Sequence, residues 1–348
     1  MLPEAILFRC DGDAHTGLGH VSRCLALAEA LEERGVRSLF FGHYGPDALA
    51  LLRAVGVEVR GANAATGCSE DLDETLRAAR TANAVVLDSY EVDGVFVERI
   101  EQKLPVLVVD DFARVEEYNC SGVLNFRVGA HSLRYRGNVR VKMLGPNYFL
   151  ARRRIRYLRR ACPARPDMLR NVLVAIAGVD RHDSTIRVVS ALARLDNAFR
   201  VRAVLGMDSP QRCQVESIMA ELAPGSRVLS RLPDLAEELG SAHFCVCGGG
   251  LTKYECAYLG IPAGTIAQSE DQYRDTVEFC AVGLALDFGL AWELSDGDIT
   301  SGILRLMEDS ALRSRLAAAG PSVFPEDAPG NAADGLLEVT ARGAGGLS

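Results

Sequence analysis

The sequence lacks any hydrophobic run long enough to cross a membrane. No stretch reaches the roughly 18 consecutive apolar residues that a transmembrane helix needs. The first residues, "MLPEAILFRCDGD", also lack the basic segment and long apolar core of a secretory signal. We therefore expect a cytoplasmic protein without a membrane span.

The ten cysteines form no C-x-x-C pair and no Cys/His spacing of a zinc site. Most of them lie inside apolar runs, where a reduced thiol behaves as a small hydrophobic side chain. This use of cysteine is typical of a reducing compartment. We expect no metal and no cofactor.

Positive charge is also in short supply, with 38 Lys and Arg against 46 Asp and Glu and a net charge of -8. Phosphate backbones are held by clustered Lys and Arg, so a nucleic-acid partner is not expected. The one basic run, "RRRIRYLRR" at 152–160, is interpreted as a solvated helix face, with a local anion patch as the alternative. No interface stripe is evident, and we expect a monomer.

The 348 residues suit two domains of about 150 residues each. Short apolar runs alternate with helical patterns from "AILFRC" to "GVLNF", falter between about 131 and 170, and resume at "RNVLVAIAG". Such alternation indicates parallel sheets covered by helices on both faces. We predict an α/β protein with two doubly wound Rossmann-like domains, at 1–150 and 165–340, facing across a cleft and joined by a linker.

The first loop, "DGDAHTGLGHVSR", follows the first predicted strand. It lacks the third glycine of a dinucleotide fingerprint, but Gly17 and Gly19 allow a tight turn and a close approach to a ligand. His20 then falls in the first helical turn, where the helix dipole favours the neutral imidazole. A neutral imidazole can act as a general base. A purely structural histidine at a helix start is the alternative.

Two further loops place acids at strand ends. Asp88 and Tyr90 follow "VVL", and Asp110 and Asp111 follow "VLVV". Such acids either cap the next helix or contribute to a site. Because ligands of open parallel sheets bind at the carboxyl ends of the strands, the shared location favours a site.

In the second predicted domain, Gly178 follows the first strand, and "FCVCGGGLTKYECAYLGIP" passes from a strand through three glycines into a helix. Free amides and the dipole at such a helix start favour an anion, with pyrophosphate as the natural ligand. Glu255, one turn further, could accept hydrogen bonds from ribose hydroxyls, and Gln272 lies at the same edge. Tight helix–strand packing by small residues is the alternative.

At these loops the chain resembles the nucleotide-sugar hydrolases of the PseG/SpsG type, which have the GT-B architecture. The resemblance runs through "FRCDGDAHTGLGHVSRCLALA", "VVLDSYEVD", "VLVVDD", "VLNF", "MLGPNYFLARRRI", "VLVAIAGVD", "CGGGLTKYE" and "EDQ". It implies hydrolysis of a UDP-linked amino or deoxy sugar, in which water attacks the anomeric carbon and UDP and the free sugar are released without a metal.

The resemblance implies that His20 is the base. With the strand-end loops, it gives an expected substrate site of Asp11, Gly17, Gly19, Asp88, Tyr90 and Asn125. The expected nucleotide site consists of Gly178, Gly249, Gly250, Thr252, Glu255 and Gln272. The chain departs from the family pattern at Leu251, where the family has a serine, and at the bulky Lys253.

Two other functions are compatible with these residues. A glycosyltransferase of the same fold would use His20 to deprotonate an acceptor hydroxyl instead of water. A non-catalytic nucleotide-sugar binding protein would leave His20 without a role.

Because no metal-ligand spacing is visible, we predict that EDTA leaves the activity of the purified protein unchanged. The check is release of nucleotide with and without the chelator. A loss of activity that magnesium restores would contradict the prediction.

Overall fold

Each apolar run of the sequence becomes a parallel strand, and each helical pattern becomes a helix beside it. The computed structural model describes residues 3–13, 16–161, 171–177, 180–195, 199–206, 209–230, 232 and 234–344. The chain divides into one unit of Met1–Arg153 with Asp327–Ser348 and a second of Arg154–Glu326. The predicted α/β class with two parallel-sheet domains is confirmed.

The first unit contains a seven-stranded parallel sheet in the order β3-β2-β1-β4-β5-β6-β7. This doubly wound order places the first strand in the interior of the sheet, between β2 and β4. Its strands are β1 (Ala5–Cys10), β2 (Arg37–Gly42), β3 (Glu58–Gly61), β4 (Ala84–Asp88), β5 (Val106–Val109), β6 (Cys120–Asn125) and β7 (Val139–Leu144). Its helices are α1 (Gly19–Glu32), α2 (Pro46–Val55), α3 (Ser69–Ala78) and α4 (Gly94–Glu101), with α5 (Arg153–Ala161) beginning at its end.

The second unit contains a six-stranded parallel sheet in the order β10-β9-β8-β11-β12-β13. Its strands are β8 (Asn171–Ala175), β9 (Arg200–Val204), β10 (Arg227–Leu229), β11 (Phe244–Gly248), β12 (Ala263–Ala267) and β13 (Leu286–Leu290). Its helices are α6 (Ser184–Arg194), α7 (Arg212–Met219), α8 (Ala236–Ser241), α9 (Leu251–Tyr258), α10 (Glu270–Ala281), α11 (Asp296–Glu308) and α12 (Ser310–Val323). The last described helix along the chain is α13 (Ala328–Ala344).

The prediction of a linker over about 131–170 is wrong in part, because this stretch contains the strand β7 and the helix α5. β7 reads "VRVKML" and lies at the edge of its sheet, so that apolar and basic residues alternate and several stay exposed. An edge strand with one solvated face lacks the continuous apolar run by which the other strands were found.

The basic run is solvated on one side and buried on the other, since Arg154, Tyr157 and Arg160 are exposed. Arg152 and Arg156 are buried, and Arg152 Nε donates to Glu29 at 2.9 Å. Further along α5, the guanidinium of Arg159 stacks 4.2 Å from the ring centroid of Tyr258. The arginines therefore serve packing and ion pairing within the fold.

The last helix corrects the predicted domain boundary at 340. α13 belongs to the first unit, where Ala333, Leu336 and Val339 are buried. Arg34 of α1 donates to Asp334 at 2.6 Å. An apolar helix face is buried wherever a complementary surface is available, and sequence order does not say which sheet supplies it.

Two expectations from composition can be compared with the described residues. All nine described cysteines are free thiols and six of them are buried, as expected for reduced core residues. Among the described helices, none combines the length and the apolarity needed to cross a bilayer.

A buried ionic network lies beside the central strand. The side chain of Arg9 in β1 is fully buried, and its guanidinium donates to Asp11 at 2.7 Å and to Asp71 at 3.0 and 3.1 Å. Burial by itself raises the pKa of Asp11, but the charge of Arg9 together with the hydrogen bonds from His43 N, Arg9 and Thr66 outweighs it, and the net shift is downward. The buried cation therefore keeps Asp11 ionised.

We predict that Arg9→Met destabilises the protein by about 3–5 kcal/mol, because it leaves two buried carboxylates without their cation. Arg60→Met is the control, since it breaks the exposed pair with Glu58 and should cost less than about 1 kcal/mol. Urea unfolding of both variants gives the comparison. Equal stabilities would show that Arg9 does not compensate these acids.

Candidate functional site

The carboxyl ends of three neighbouring strands in the first unit bring four ionisable side chains together. His20 and Arg23 lie on the first turns of α1, Asp88 ends β4, and Asp111 follows β5. Because β1 pairs with β4 and β4 with β5, these strand ends are adjacent. We call these four residues, with Tyr90, the His20 cluster.

Hydrogen bonds in the His20 cluster converge on Asp88. His20 Nδ1 lies 2.6 Å from Asp88 Oδ1, and Arg23 donates to both carboxylate oxygens at 2.6 Å through Nε and Nη2. The remaining guanidinium nitrogen, Nη1, donates to Asp111 at 2.7 and 2.9 Å. One arginine therefore joins two carboxylates that come from different strands.

The electrostatics of the cluster define the state of the imidazole. Burial by itself raises the pKa of Asp88, but the charge of Arg23 and the hydrogen bonds from Arg23 and His20 together more than offset it, and the pKa lies below its usual range. An ionised carboxylate can only accept, so Nδ1 of His20 carries a hydrogen, and in the neutral ring the lone pair is then on Nε2. The sequence argument relied on the helix dipole, whereas the structure supplies an aspartate that orients the ring.

Tyr90, one of the expected substrate residues, lies beside this imidazole. Its hydroxyl donates to Asp111, and its ring packs edge-on against His20 with centroids 4.8 Å apart. The residue is nevertheless 43% exposed. Its ring is therefore an accessible surface next to the imidazole of His20.

Arg23 was not among the expected site residues, and Asp111 was expected only as one of the acids at strand ends. Arg23 is three positions after His20 and therefore shares its helix face, within an otherwise apolar stretch of α1. The sequence signal that could have identified Arg23 is an arginine within an apolar stretch of a helix. Asp88 does not cap α4, because Asp93 performs that role by accepting from Phe96 N at 2.8 Å.

Two expected substrate residues lie outside the cluster and bond within the protein. Asp11 accepts from Arg9, from Thr66 and from the backbone of His43. Asn125 donates to Tyr135 at 2.8 Å and accepts from Arg127 N at 3.0 Å. These contacts give both side chains a structural use.

The two glycines before His20 have space around their Cα atoms, as the sequence predicts for a loop that a ligand can approach. Gly17 has a φ of +73°, in the left-handed region that favours glycine, and Gly19 is the first residue of α1. A Cβ added at either position would meet nothing within 4 Å. The backbone here is open to an approaching ligand.

In the second unit, Gly248–Gly250 form the glycine loop between β11 and α9, and each of them faces a different environment. A Cβ on Gly248 would lie 1.9 Å from Ile176 O, and one on Gly249 would lie 2.9 Å from Thr276 Oγ1. A Cβ on Gly250 meets nothing within 4 Å. Tight packing therefore explains the first two glycines, and Gly250 is the one that faces open space.

The helix start after this loop is uncapped. Gly250 is the N-cap of α9, no side chain caps it, and the first turn contains no acidic residue. Lys253 is fully buried and donates to Gly249 O at 2.8 Å and to Thr276 at 3.0 Å, while pairing with Asp275 at 2.7 Å. This lysine supports the loop from beneath instead of obstructing it.

The other expected nucleotide residues are arranged around this helix start. Thr252 is half-buried, Glu255 is 6% exposed, and Gln272 Oε1 accepts from Gln268 N at 3.0 Å. Gly178 lies outside the described residues. Asp180, close to it in sequence, caps α6 by accepting from Ser184 N and Thr185 N.

One group of described residues has the geometry for a metal ion. The thiols of Cys245, Cys247 and Cys256 are buried behind the glycine loop, with sulfur atoms within 4.8 Å of one another. These thiols belong to the core of the second unit, and the His20 cluster contributes no ligand to them.

No family model matches the chain. It is 24% identical over 343 residues to the spore coat polysaccharide biosynthesis protein SpsG of Bacillus subtilis, covering 95% of both chains. It is 22% identical over 274 residues to the uncharacterized protein MJ1062 of Methanocaldococcus jannaschii, covering 75% of this chain and about half of that protein, 55%. A UDP-N-acetylglucosamine–N-acetylmuramyl-(pentapeptide) pyrophosphoryl-undecaprenol N-acetylglucosamine transferase of Rhizobium johnstonii is 29% identical over 160 residues, 44% of this chain and 42% of that enzyme.

Solved structures share the fold over nearly the whole chain. The spinosyn forosaminyltransferase SpnP matches with a TM-score of 0.68 and 16% identity, covering 97% of this chain and 99% of that one. The spinosyn rhamnosyltransferase SpnG, in complex with thymidine diphosphate, matches with a TM-score of 0.61 and 15% identity, covering 97% and 98%. The architecture is therefore that of the GT-B glycosyltransferases.

The glycine loop generates a prediction that separates Gly250 from Gly249, although both belong to the expected nucleotide site. Gly250→Ala should leave stability unchanged and weaken UDP binding at least about tenfold, or ~1.4 kcal/mol, because the added methyl occupies the open space. Gly249→Ala should instead lower stability through contact with Thr276 and Gln272. Calorimetric titration and thermal unfolding separate the two, with Gly297→Ala in α11 as control. Unchanged UDP affinity in Gly250→Ala would contradict this placement.

Proposed function

We propose that this protein is an enzyme that transfers a glycosyl group from a nucleoside-diphosphate sugar to a hydroxyl acceptor, with His20 as the general base. The observation that carries the proposal is the His20 cluster. In this cluster a buried, ionised aspartate and an arginine hold an imidazole that is partly exposed. Such an arrangement orients a base and stabilises the charge that it gains.

The proposed step is a substitution at the anomeric carbon of the donor sugar. Nε2 of His20 takes the proton of the acceptor hydroxyl, and the acceptor oxygen forms a bond to the anomeric carbon. The bond between that carbon and the diphosphate breaks, and its electron pair leaves with the nucleoside diphosphate. Asp88 stabilises the resulting imidazolium through Nδ1, and Arg23 keeps Asp88 ionised throughout.

The second unit is proposed to hold the nucleotide. The uncapped start of α9 offers free amides and a positive dipole end to a diphosphate, next to the open position of Gly250. Glu255 is proposed to accept from the ribose hydroxyls, with Thr252 and Gln272 nearby. UDP is the proposed nucleotide, in keeping with the donor in the name of the Rhizobium relative.

Transfer to an acceptor is favoured over the hydrolysis that the resemblance implied. The partial relative and both solved structures named above are transferases by name. The name of the full-length relative SpsG states a role in polysaccharide biosynthesis and no hydrolysis. Water as acceptor is retained as an outcome of the assay.

We predict that His20→Asn folds normally and binds UDP as the wild type does, yet loses about two to four orders of magnitude in turnover, the usual contribution of a general base. The assay is a screen of nucleotide sugars that quantifies released UDP with and without candidate acceptors. Acceptor-dependent release is the expected result.

Thermal unfolding of the same variant distinguishes catalysis from structure. A structural His20 would show lowered stability and a proportionate loss of activity. Wild-type turnover in a stable His20→Asn protein would remove His20 from the mechanism, and equal UDP release without any acceptor would establish hydrolysis instead.

A further inference from the structure

Three buried cysteines of the second unit meet behind the glycine loop. Cys245 and Cys247 lie in β11, and Cys256 lies in α9, the helix that follows the loop. All three side chains are fully buried, and their sulfur atoms lie within 4.8 Å of one another. We call these three residues the thiol cluster. Among the residues that the structure describes, no other group of three or more possible metal ligands converges in this way.

Two different periodicities bring these thiols together. Cys245 and Cys247 are two positions apart in a strand and therefore point to the same face of the sheet. The residues that alternate with them, Phe244 and Val246, belong to the hydrophobic core on the other face. Cys256 reaches the cysteine face from α9. Linear spacing does not mark such a combination of strand and helix as a metal site, which is why the sequence indicated none.

The spacing of the sulfur atoms suits one metal ion. Metal–sulfur bonds of about 2.3 Å to a central ion place three sulfur atoms about 4.0 Å apart. Because the sulfur atoms already lie within 4.8 Å of one another, shifts of roughly half an ångström each reach that geometry. Soft thiolate ligands select Cu⁺ and Zn²⁺, both of which have filled d shells.

A fixed positive charge accompanies the thiol cluster. The buried ammonium of Lys253 pairs with Asp275 and also interacts electrostatically with Cys247. Three thiolates around a monovalent or divalent ion carry an excess of negative charge, and a buried charge without a partner is costly. The ammonium opposes that excess, so the surroundings of the thiol cluster favour the metal-bound state electrostatically.

We propose that the thiol cluster binds one thiophilic metal ion with a filled d shell, Zn²⁺ or Cu⁺, through its three sulfur atoms. Binding breaks three S–H bonds, releases three protons to solvent and forms three metal–sulfur bonds, with no change of oxidation state. The ion links the end of β11 to α9, the two elements on either side of the glycine loop. The inference is independent of the proposed function, because the ion takes no part in the step at His20, and the expected effect of EDTA on turnover is unchanged.

The test uses full-length protein expressed with zinc or with copper in the medium, and purified under reducing conditions without a chelator. Every protein carries Cys213→Ser, because Cys213 is an exposed thiol that can bind metal by itself. Elemental mass spectrometry should find about one ion per chain from at least one of the two media. The comparison of the two media identifies the ion.

Cys256→Ala should contain at least about tenfold less metal, since even the loss of a residue that only supports a ligand costs about 10–100-fold in metal affinity. Cys120→Ala is the matched control and should keep the metal. It also removes a buried thiol, but one that lies in the first unit and donates to Gly122 O at 3.3 Å.

Thermal unfolding gives a second readout. Metal-loaded protein should unfold at a higher temperature than the same protein from metal-depleted medium, because an ion that binds the folded state stabilises it. The difference should persist in Cys120→Ala and disappear in Cys256→Ala.

X-ray absorption at the metal edge needs no variant of the thiol cluster, so it decides the question even if Cys256→Ala does not fold. The loaded protein should show sulfur neighbours at about 2.3 Å. A shell of nitrogen and oxygen neighbours alone would overturn the proposal. So would protein from both media that contains no bound metal, or a Cys256→Ala protein that keeps its full metal content.

Discussion

The candidate base in the first unit depends on one buried cation. Arg23 of α1 neutralises Asp88 at the end of β4 and Asp111 after β5, with N–O distances between 2.6 and 2.9 Å. Two carboxylates at this depth would otherwise be costly to keep ionised. Because the positive charge of Arg23 stabilises both carboxylates, Asp88 stays ionised and can accept the hydrogen bond from Nδ1 of His20.

The same physical solution occurs in the second unit and beside β1. Lys253 is a buried ammonium that bonds the carbonyl of Gly249 and pairs with Asp275. Arg9 is a buried guanidinium that holds Asp11 and Asp71. In each case a buried cation connects a strand-end loop to a neighbouring element, so that the backbone or acid next to open space is held in one position.

This common arrangement explains why a departure from the pattern of the resembled family is compatible with the proposed nucleotide site at the glycine loop. From the sequence, the bulky side chain of Lys253 was a departure from the family pattern next to the expected phosphate position. In the structure its side chain points into the core and leaves Gly250 and the start of α9 open. The residue that differs from the pattern therefore contributes support behind the loop.

The sequence by itself determined the α/β class and the order of most strands and helices, because these follow from apolar periodicity. It also determined the association of His20 with Asp88 and Tyr90, because the carboxyl ends of parallel strands lie at one edge of the sheet. Tertiary structure alone decided that Arg23 and Asp111 complete the cluster, that Asp11 and Asn125 bond inward, and that α13 packs on the first unit. Those outcomes depend on which side chains burial brings into contact across the sheet, and spacing along the chain carries no record of such pairings. The edge strand β7 was missed for a related reason, since its solvated face hides the apolar signal that reveals a buried strand.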